Sequence, residues 1–343
     1  MFNFNSLRRG TSLGIDLGNS NTIFVEKEDS YFSQPSFIAL HKDKTTVKAV
    51  GQEAYDMLGK ASEHYKIVKP LKGGVIMDYD SANCMVKSLI KSHYSKSSFF
   101  YGFDNVVAGI PFDTTEVERR ALRDVLEQFK AQRRYLIFEP IAAAIGMGLD
   151  IQEPDGKFLV DIGGGVTEIV IISLSGIVSH QSIKVAGDAF DEDIQDYFRK
   201  RYNMSIGSKV AEQLKIKVGA ATNNPEHTPE PCPIIGKNLM TGLPVSIEIG
   251  HSEVANILDN AISKIEDANL QALETCEPEL AGDIYGNGIY LTGGGSLLRG
   301  LKQRLQAKTK LQVHHDADAL QSVIRGIAKV IYSPKSYQAV LFQ

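Results

Sequence analysis

Two stretches of this chain set out the same chemistry in the same order: Asp16-Leu17-Gly18-Asn19-Ser20-Asn21-Thr22 and Asp161-Ile162-Gly163-Gly164-Gly165-Val166-Thr167. Glycine lets the backbone bend through conformations closed to other residues and approach a ligand closely, so consecutive N–H groups can converge on phosphate oxygens. The leading aspartates, Asp16 and Asp161, each place a carboxylate where a hydrated Mg2+ would sit. Either stretch alone reads as an ordinary glycine turn. Their repetition makes both candidate phosphate-binding hairpins that hold a nucleotide phosphate chain between them. A third signal is Gly288-Ile289-Tyr290-Leu291-Thr292-Gly293-Gly294-Gly295-Ser296, an apolar strand running into a glycine turn. Such a turn suits close backbone approach to a nucleoside.

The elements around these residues follow from hydrophobic patterning. Leu13 and Ile15 enter the first stretch and Ile23, Phe24 and Val25 leave it; Phe158, Leu159 and Val160 enter the second and an apolar run at 169–172 leaves it. Both therefore read as strand, tight turn, strand. A strand at 106–110 leads to Pro111-Phe112-Asp113-Thr114-Thr115-Glu116, where Asp113 or Thr114 is the expected N-cap of a helix reaching about residue 130. A strand at 135–138 precedes Glu139-Pro140 and a helix over 141–148, with proline in its favoured first turn. The second half repeats the order, with helices expected over 188–202, 208–219 and 252–273. Pro225, Pro229, Pro231 and Pro233 mark an exposed loop between strands. The 145 residues between Asp16 and Asp161 are thus the period of a duplicated α/β domain, each half with a smaller subdomain inserted.

Composition narrows the classes. At 343 residues, two lobes are expected. A net charge of −4 supplies no global attraction to nucleic acid, so no direct nucleic-acid partner is expected. Cys84, Cys232 and Cys276 form no Cys-x-x-Cys pair, which argues against a disulfide framework or zinc site and fits a reducing cytoplasm. His314-His315-Asp316 reads as a solvated loop, not a ligand cluster. No apolar run approaches the ~18 residues of a spanning helix, and the N-terminal residues lack the apolar segment of a secretory signal.

At this point the residues resemble a known superfamily, the actin, heat-shock chaperone and sugar-kinase ATPases, and within it the bacterial actin (MreB, rod shape-determining) family. Beyond the two hairpins, the resemblance is carried by Lys69-Pro70-Leu71-Lys72-Gly73-Gly74-Val75-Ile76, Thr115-Glu116-Val117-Glu118-Arg119-Arg120-Ala121, Glu139-Pro140-Ile141-Ala142-Ala143-Ala144-Ile145-Gly146, Val185-Ala186-Gly187-Asp188, Thr241-Gly242-Leu243-Pro244 and Leu291-Thr292-Gly293-Gly294-Gly295. It covers nearly the whole chain. It implies an α/β, actin-like duplicated ATPase fold: two lobes of mixed sheets with helices, and nucleotide in the central cleft. Subdomain IA would comprise 1–33, 75–150 and 315–343; IB, 34–74; IIA, 151–187 and 250–314; and IIB, 188–249.

The resemblance also implies roles. Asn19, Ser20, Asn21, Gly163, Gly164 and Gly165 would hold the phosphates of ATP, Glu212 and Lys215 would flank the nucleoside, and Gly293, Gly294 and Gly295 would lie beneath the adenine. Asp16 and Asp161 would hold Mg2+ through water. Glu139 would orient or polarise the attacking water and Thr167 would hydrogen-bond it, giving a slow ATPase coupled to assembly. Without the resemblance, Glu139 is a first-turn acid complementing the helix dipole, and Glu212 with Lys215, three apart, is a surface ion pair.

The implied protein is cytoplasmic and peripheral on the inner face of the cytoplasmic membrane. It would polymerise with itself as antiparallel double protofilaments and work with membrane proteins of the cell-wall synthesis machinery. Phe99 and Phe100 would be its membrane-inserting tip, with Phe2 and Phe4 beside Arg8 and Arg9 a second, shorter anchor candidate. Three segments depart from the family pattern. Val166 replaces a usual threonine, Pro111-Phe112-Asp113 replaces Pro-Ser-Gly, and Ser322-Val323-Ile324-Arg325-Gly326-Ile327-Ala328 has fewer glycines than expected near the interdomain hinge. The competing reading from another class is a small-molecule kinase transferring phosphate to a sugar or acid. The short insertion at 34–69 disfavours it. A chaperone ATPase would need an attached substrate-binding domain.

Overall fold

Residues 12–27, 30–42, 46–93 and 103–343 are described by a computed structural model. The chain forms two compact units, one taking the chain up to Asp150 and again Gln321–Gln343, the other Ile151–Leu320.

The first unit is built on a five-stranded sheet in the order Ala131–Phe138, Phe103–Ile110, Ser12–Leu17, Asn21–Lys27, Ser30–Pro35. Ser12–Leu17 is parallel to Phe103–Ile110 and antiparallel to Asn21–Lys27. Its alternate residues Leu13, Ile15 and Leu17 join a core made with helix Tyr79–His93, through Met85, Leu89 and Ile90, and helix Glu116–Glu127, through Leu122, Val125 and Leu126. Successive side chains of a strand face opposite ways, so Gly14 faces the other layer, where a Cβ would collide with Val25 and Ile327. The missing side chain lets helix Ser322–Tyr332 lie close to the strand.

The second unit repeats this plan. Its sheet runs Gly176–Ile183, Thr167–Ser173, Lys157–Ile162, Ile289–Thr292, Val313–His315. Lys157–Ile162 pairs antiparallel with the strand after its turn and parallel with Ile289–Thr292. Even the register recurs: Asp16 faces Ile23 and Leu17 faces Thr22, as Asp161 faces Glu168 and Ile162 faces Thr167. The duplication expected from spacing is therefore present as topology. Two small three-stranded sheets complete the units. One joins Val47–Val50, Ile38–His41 and Tyr65–Val68, and the other joins Met204–Ser205, Cys232–Asn238 and Pro244–Ile249.

Several boundaries differ from expectation. The cap of helix Glu116–Glu127 is Thr115, not Asp113 or Thr114: its hydroxyl accepts from the Glu118 N–H while the Glu118 carboxylate accepts from the Thr115 N–H. That reciprocal pair needs a glutamate three residues after the cap, which Thr115 has in Glu118 and Thr114, followed by Val117, lacks. Thr114 is instead buried, its hydroxyl donating to the Pro111 carbonyl. The helix expected from residue 141 begins at Glu139. The strand Cys232–Asn238 includes Pro233, at its start, where a missing N–H is tolerated. The chain returns to the first unit at Gln321 and not at residue 315, because Val313–His315 pairs with Ile289–Thr292 in the second unit's sheet.

Helix Glu139–Gly146 is mostly alanine and isoleucine, and every residue after Glu139 is buried. It packs backbone to backbone on Ser322–Tyr332: a Cβ on Gly326 would overlap the Ala142 carbonyl, and one on Gly146 the Ser322 carbonyl. Lys329 Nζ donates to the Ile145 carbonyl at 2.8 Å and caps the end of the same helix. The segment with few glycines thus keeps the one glycine this contact requires. In an uncrowded helix Gly326→Ala would stabilise by about 1 kcal/mol. Here it is expected to destabilise by about 1–3 kcal/mol, read as a lower urea midpoint, and a rise in the midpoint would refute the close packing.

Candidate functional site

Each hairpin closes on its glycine. In the first unit Gly18 N donates to Asn21 O at 3.1 Å; in the second, Gly163 N donates to Val166 O at 3.0 Å. Each is then locked from behind by its threonine. Thr22 Oγ1 lies 2.9 Å from Ser36 Oγ, which donates to the Gly18 carbonyl at 2.6 Å. Thr167 Oγ1 donates to the Val185 carbonyl at 2.6 Å. Both threonines are 0% exposed. The Thr167 hydroxyl hydrogen is thus committed inside the unit, where it ties the end of the hairpin to Val185, and its oxygen keeps its capacity to accept. Val166, half-buried in the loop itself, is the position whose side chain lies nearer to solvent.

In the first unit Ser20, Asn21 and Asp16 are half-buried at the turn, and Asn19 is buried, with its Oδ1 accepting from Gly74 N at 3.2 Å. Gly73 and Gly74 both have positive φ, 62° and 80°, in the turn between Leu71–Lys72 and Val75–Ile76. Asn19 thus spends its carbonyl end holding this turn against the hairpin. Glu139 stands at the first position of its helix, against Gly109, where a Cβ would come within 3.2 Å of its Cγ. A cavity of about 20 Å³ is lined by Glu139 together with Leu17, Gly74, Gly109 and Glu118. That is room for one water, which occupies about 10–15 Å³ by the same measure. The structure therefore brings together the end of the first hairpin, the glycine turn and the expected water-orienting carboxylate. Ser36 and Gly74 escaped sequence reasoning, because nothing local in the chain marks them as partners of the hairpin.

In the second unit Asp161 is 9% exposed, and burial pushes its carboxyl up to about 6. A buried carboxylate of this kind fits a neighbouring cation, which would offset its desolvation. Among the described residues no group of three or more His, Cys, Asp or Glu gathers as a protein-only metal cage. A carboxylate oxygen is the kind of donor that a hydrated Mg2+ takes. The glycine turn packs on the same hairpin. A Cβ on Gly293, whose φ is 82°, would strike Asp161 Oδ1, and one on Gly295 would strike Ile162. Gly293 and Gly295 are thus required by the strand beneath them, while Gly294 is exposed. Ser296 Oγ donates to the Gly293 carbonyl and lies 3.0 Å from His315 Nε2, so His315 buttresses the turn instead of lying in a solvated loop. Glu212 and Lys215 share helix Ser208–Val218 and are half-buried, and Lys215 Nζ reaches Asp191 and the Gly187 carbonyl. The membrane candidates Phe2, Phe4, Phe99 and Phe100 lie outside the described residues.

Comparison with known proteins gives one consistent result. The MreB/Mbl protein family matches residues 10–339. The chain is 39% identical over 324 residues to the cell shape-determining protein MreB of Escherichia coli (strain K12), covering 93% of this chain and 92% of that one. It is 39% identical over 302 residues to the cell shape-determining protein Mbl of Bacillus subtilis (strain 168), covering 88% and 90%. Among solved structures it is similar to MreB 5 of Spiroplasma citri bound to AMPPNP, with a TM-score of 0.90 and 34% identity over 97% of this chain and 99% of that one.

The Asp161 carboxyl is raised from 3.8 to about 6, so the folded state keeps its proton while the unfolded chain releases it. The resulting cost is absent below pH ~4, grows as pH rises, and is complete above pH ~6, on the order of 3 kcal/mol. Asp161→Asn is therefore expected to stabilise the ligand-free protein at pH 7.5 and to do little at pH 4, measured by chemical denaturation. Greater destabilisation at pH 7.5 than at pH 4 would contradict this.

Proposed function

The chain belongs to the MreB/Mbl family of actin-like cytoskeletal proteins, and from that membership we propose that it binds and slowly hydrolyses ATP while assembling into membrane-associated filaments that organise cell-wall synthesis and rod shape. The small-molecule kinase weighed from the sequence is set aside by the same membership. The observation that carries the hydrolytic part is the water-sized cavity beside Glu139.

Phosphoryl transfer to water asks little covalent chemistry of a protein; it needs neutralised phosphate charge and a positioned nucleophile. Backbone N–H groups of the turns at Asn19–Asn21 and at Gly163–Gly165 each offer donors to phosphate oxygens. Mg2+, when bound, supplies positive charge at the phosphates. Asp16 and Asp161 are the carboxylates that would each accept hydrogen bonds from its hydration shell. Glu139 sits on a helix fixed at its far end by Lys329 and along its length by Gly146 and Gly326. A rigid mount of this kind holds a carboxylate in one place, where it orients the water and accepts its proton. Thr167 contributes by shaping the loop through Val185. Glu212 and Lys215 flank the nucleoside, and the turn at Gly293–Gly295 lies beneath the base.

The relatives named as cell shape-determining proteins support the same role here. Among the described residues no helix is long and apolar enough to cross a membrane, so attachment is assigned to apolar side chains that enter one face of the bilayer. Phe99 and Phe100 are the proposed tip. Burying each is worth about 1.5–3 kcal/mol, too little for one subunit to hold firmly, and polymerisation multiplies the contacts.

Two outcomes follow. Glu139→Ala is expected to bind ATP within a few-fold of the unaltered protein but to release phosphate roughly 100-fold more slowly; unchanged phosphate release per subunit would remove Glu139 from the mechanism. Replacing Phe99 and Phe100 by serine is expected to abolish pelleting of the polymer with anionic liposomes, and equal pelleting would sink the tip.

A further inference from the structure

Lys215 is expected at the nucleoside, yet its ammonium is held from behind by a residue with no assigned part. Lys215 Nζ lies 2.8 Å from Asp191 Oδ1 and donates to the Gly187 carbonyl at 2.9 Å. The side chains are 16% and 15% exposed, so the pair is largely shielded from water. Asp191 stands one turn into helix Gly187–Tyr202, on the face that meets helix Ser208–Val218. The start of that helix is in turn stitched to the second phosphate loop. Gly187 N donates to the Gly163 carbonyl at 3.2 Å, and Asp188 N donates to the Gly164 carbonyl at 2.7 Å. A Cβ on Gly187 would meet Gly163, Gly164 and Lys215 Nζ at 3.4–3.5 Å, so all three converge on this one residue.

We propose that Asp191 is a positioning residue for the nucleotide: its carboxylate pins the Lys215 ammonium onto the Gly187 carbonyl, making the nucleoside helix and the second phosphate loop a single rigid piece. The proposal rests on the nucleotide-binding reading above and adds to it how two parts of the site are held in register. An ammonium has three N–H donors; the Gly187 carbonyl takes one, and Asp191 holds the charge in place as an ion pair. An ordinary ion pair joining two helices would fasten side chain to side chain. Here the lysine also grips the backbone carbonyl of the residue whose own N–H holds the loop, so the charge on Asp191 is transmitted to the phosphate contacts.

The groups facing Asp191 are Lys215 and Glu212 on helix Ser208–Val218 and Asp188 on its own helix; Gly163, Gly164 and Gly165 bring no side-chain charge. Burial outweighs the Lys215 charge and raises the Asp191 carboxyl to about 6. Protonation there would release the lysine near that pH. Asp161 is raised to a similar value, so the contribution of Asp191 is read as the difference between two proteins.

Asp191→Asn keeps the shape and removes the charge. In the ligand-free protein it is expected to speed hydrogen–deuterium exchange of the amides at 163–166 several-fold, with those of Ile38–His41 in the other unit unchanged. It is expected to weaken ADP binding about tenfold at pH 7.5 and to lose part of the fall in affinity that the unaltered protein shows between pH 7.5 and 5.5. Asp191→Glu, which retains the charge, is expected to recover most of the affinity and the full pH dependence, and it carries the test should the asparagine variant not fold. Unchanged exchange at 163–166 in Asp191→Asn overturns the linkage, as does loss of the pH dependence in Asp191→Glu. Failure of the unaltered protein to bind ADP would instead overturn the nucleotide reading, whatever the exchange data show.

Discussion

A carboxylate next to a phosphate chain needs a backbone that can turn sharply and still present its N–H groups outward. In both units this is achieved by a closing hydrogen bond at the hairpin glycine, from Gly18 to the Asn21 carbonyl and from Gly163 to the Val166 carbonyl. With those bonds made, the buried threonine of each hairpin faces inward and is tied to a later segment, Thr22 through Ser36 and Thr167 through Val185. Ser20, Asn21 and the residues at 163–166 are then left half-buried at the turns. The rest of each unit holds this turn still: parallel strands on one side, an antiparallel strand on the other, and helices over both faces.

The two units solve the same problem with different supports. The first backs its hairpin with a second glycine turn, held by Asn19, and sets a carboxylate on a short apolar helix whose packing leaves no room for side chains at Gly146 and Gly326. The second backs its hairpin with the turn at Gly293–Ser296 and with the start of helix Gly187–Tyr202. It also concentrates buried charge. Burial raises the carboxyls of both Asp161 and Asp191 to about 6, in Asp191 against the opposing charge of Lys215. The difference is physical: the first unit mounts its carboxylate on a rigid helix, and the second buries its carboxylates beside the hairpin and behind Lys215.

Much of this was legible in the chain. Paired hairpins, the succession of strands and helices along the chain and the helix carrying Glu139 follow from glycine spacing and from hydrophobic patterning, which are local properties. The capping threonine was displaced by one residue because two threonines adjoin, and the choice between them rests on which one has Glu118 three residues later. His315 reads as solvated in the sequence because its partner Ser296 lies 19 residues away. The return to the first unit was placed six residues early because the pairing of Val313–His315 with Ile289–Thr292 leaves no trace in a three-residue strand.

Glu139, Glu212 and Lys215 were singled out by the family resemblance, and what the sequence by itself determined is two aspartates and three glycine-rich turns. Their types and spacing carry that information because backbone bending and hydrogen-bond capacity belong to single residues and short segments. Only the tertiary structure decided what each group is free to do. It turned Thr167 inward to Val185, gave the Asn19 carbonyl to Gly74, set Gly293 against Asp161, and placed Asp191 behind Lys215. Those assignments depend on contacts between segments far apart in the chain, where burial and the supply of partners, not residue type, settle which donor meets which acceptor.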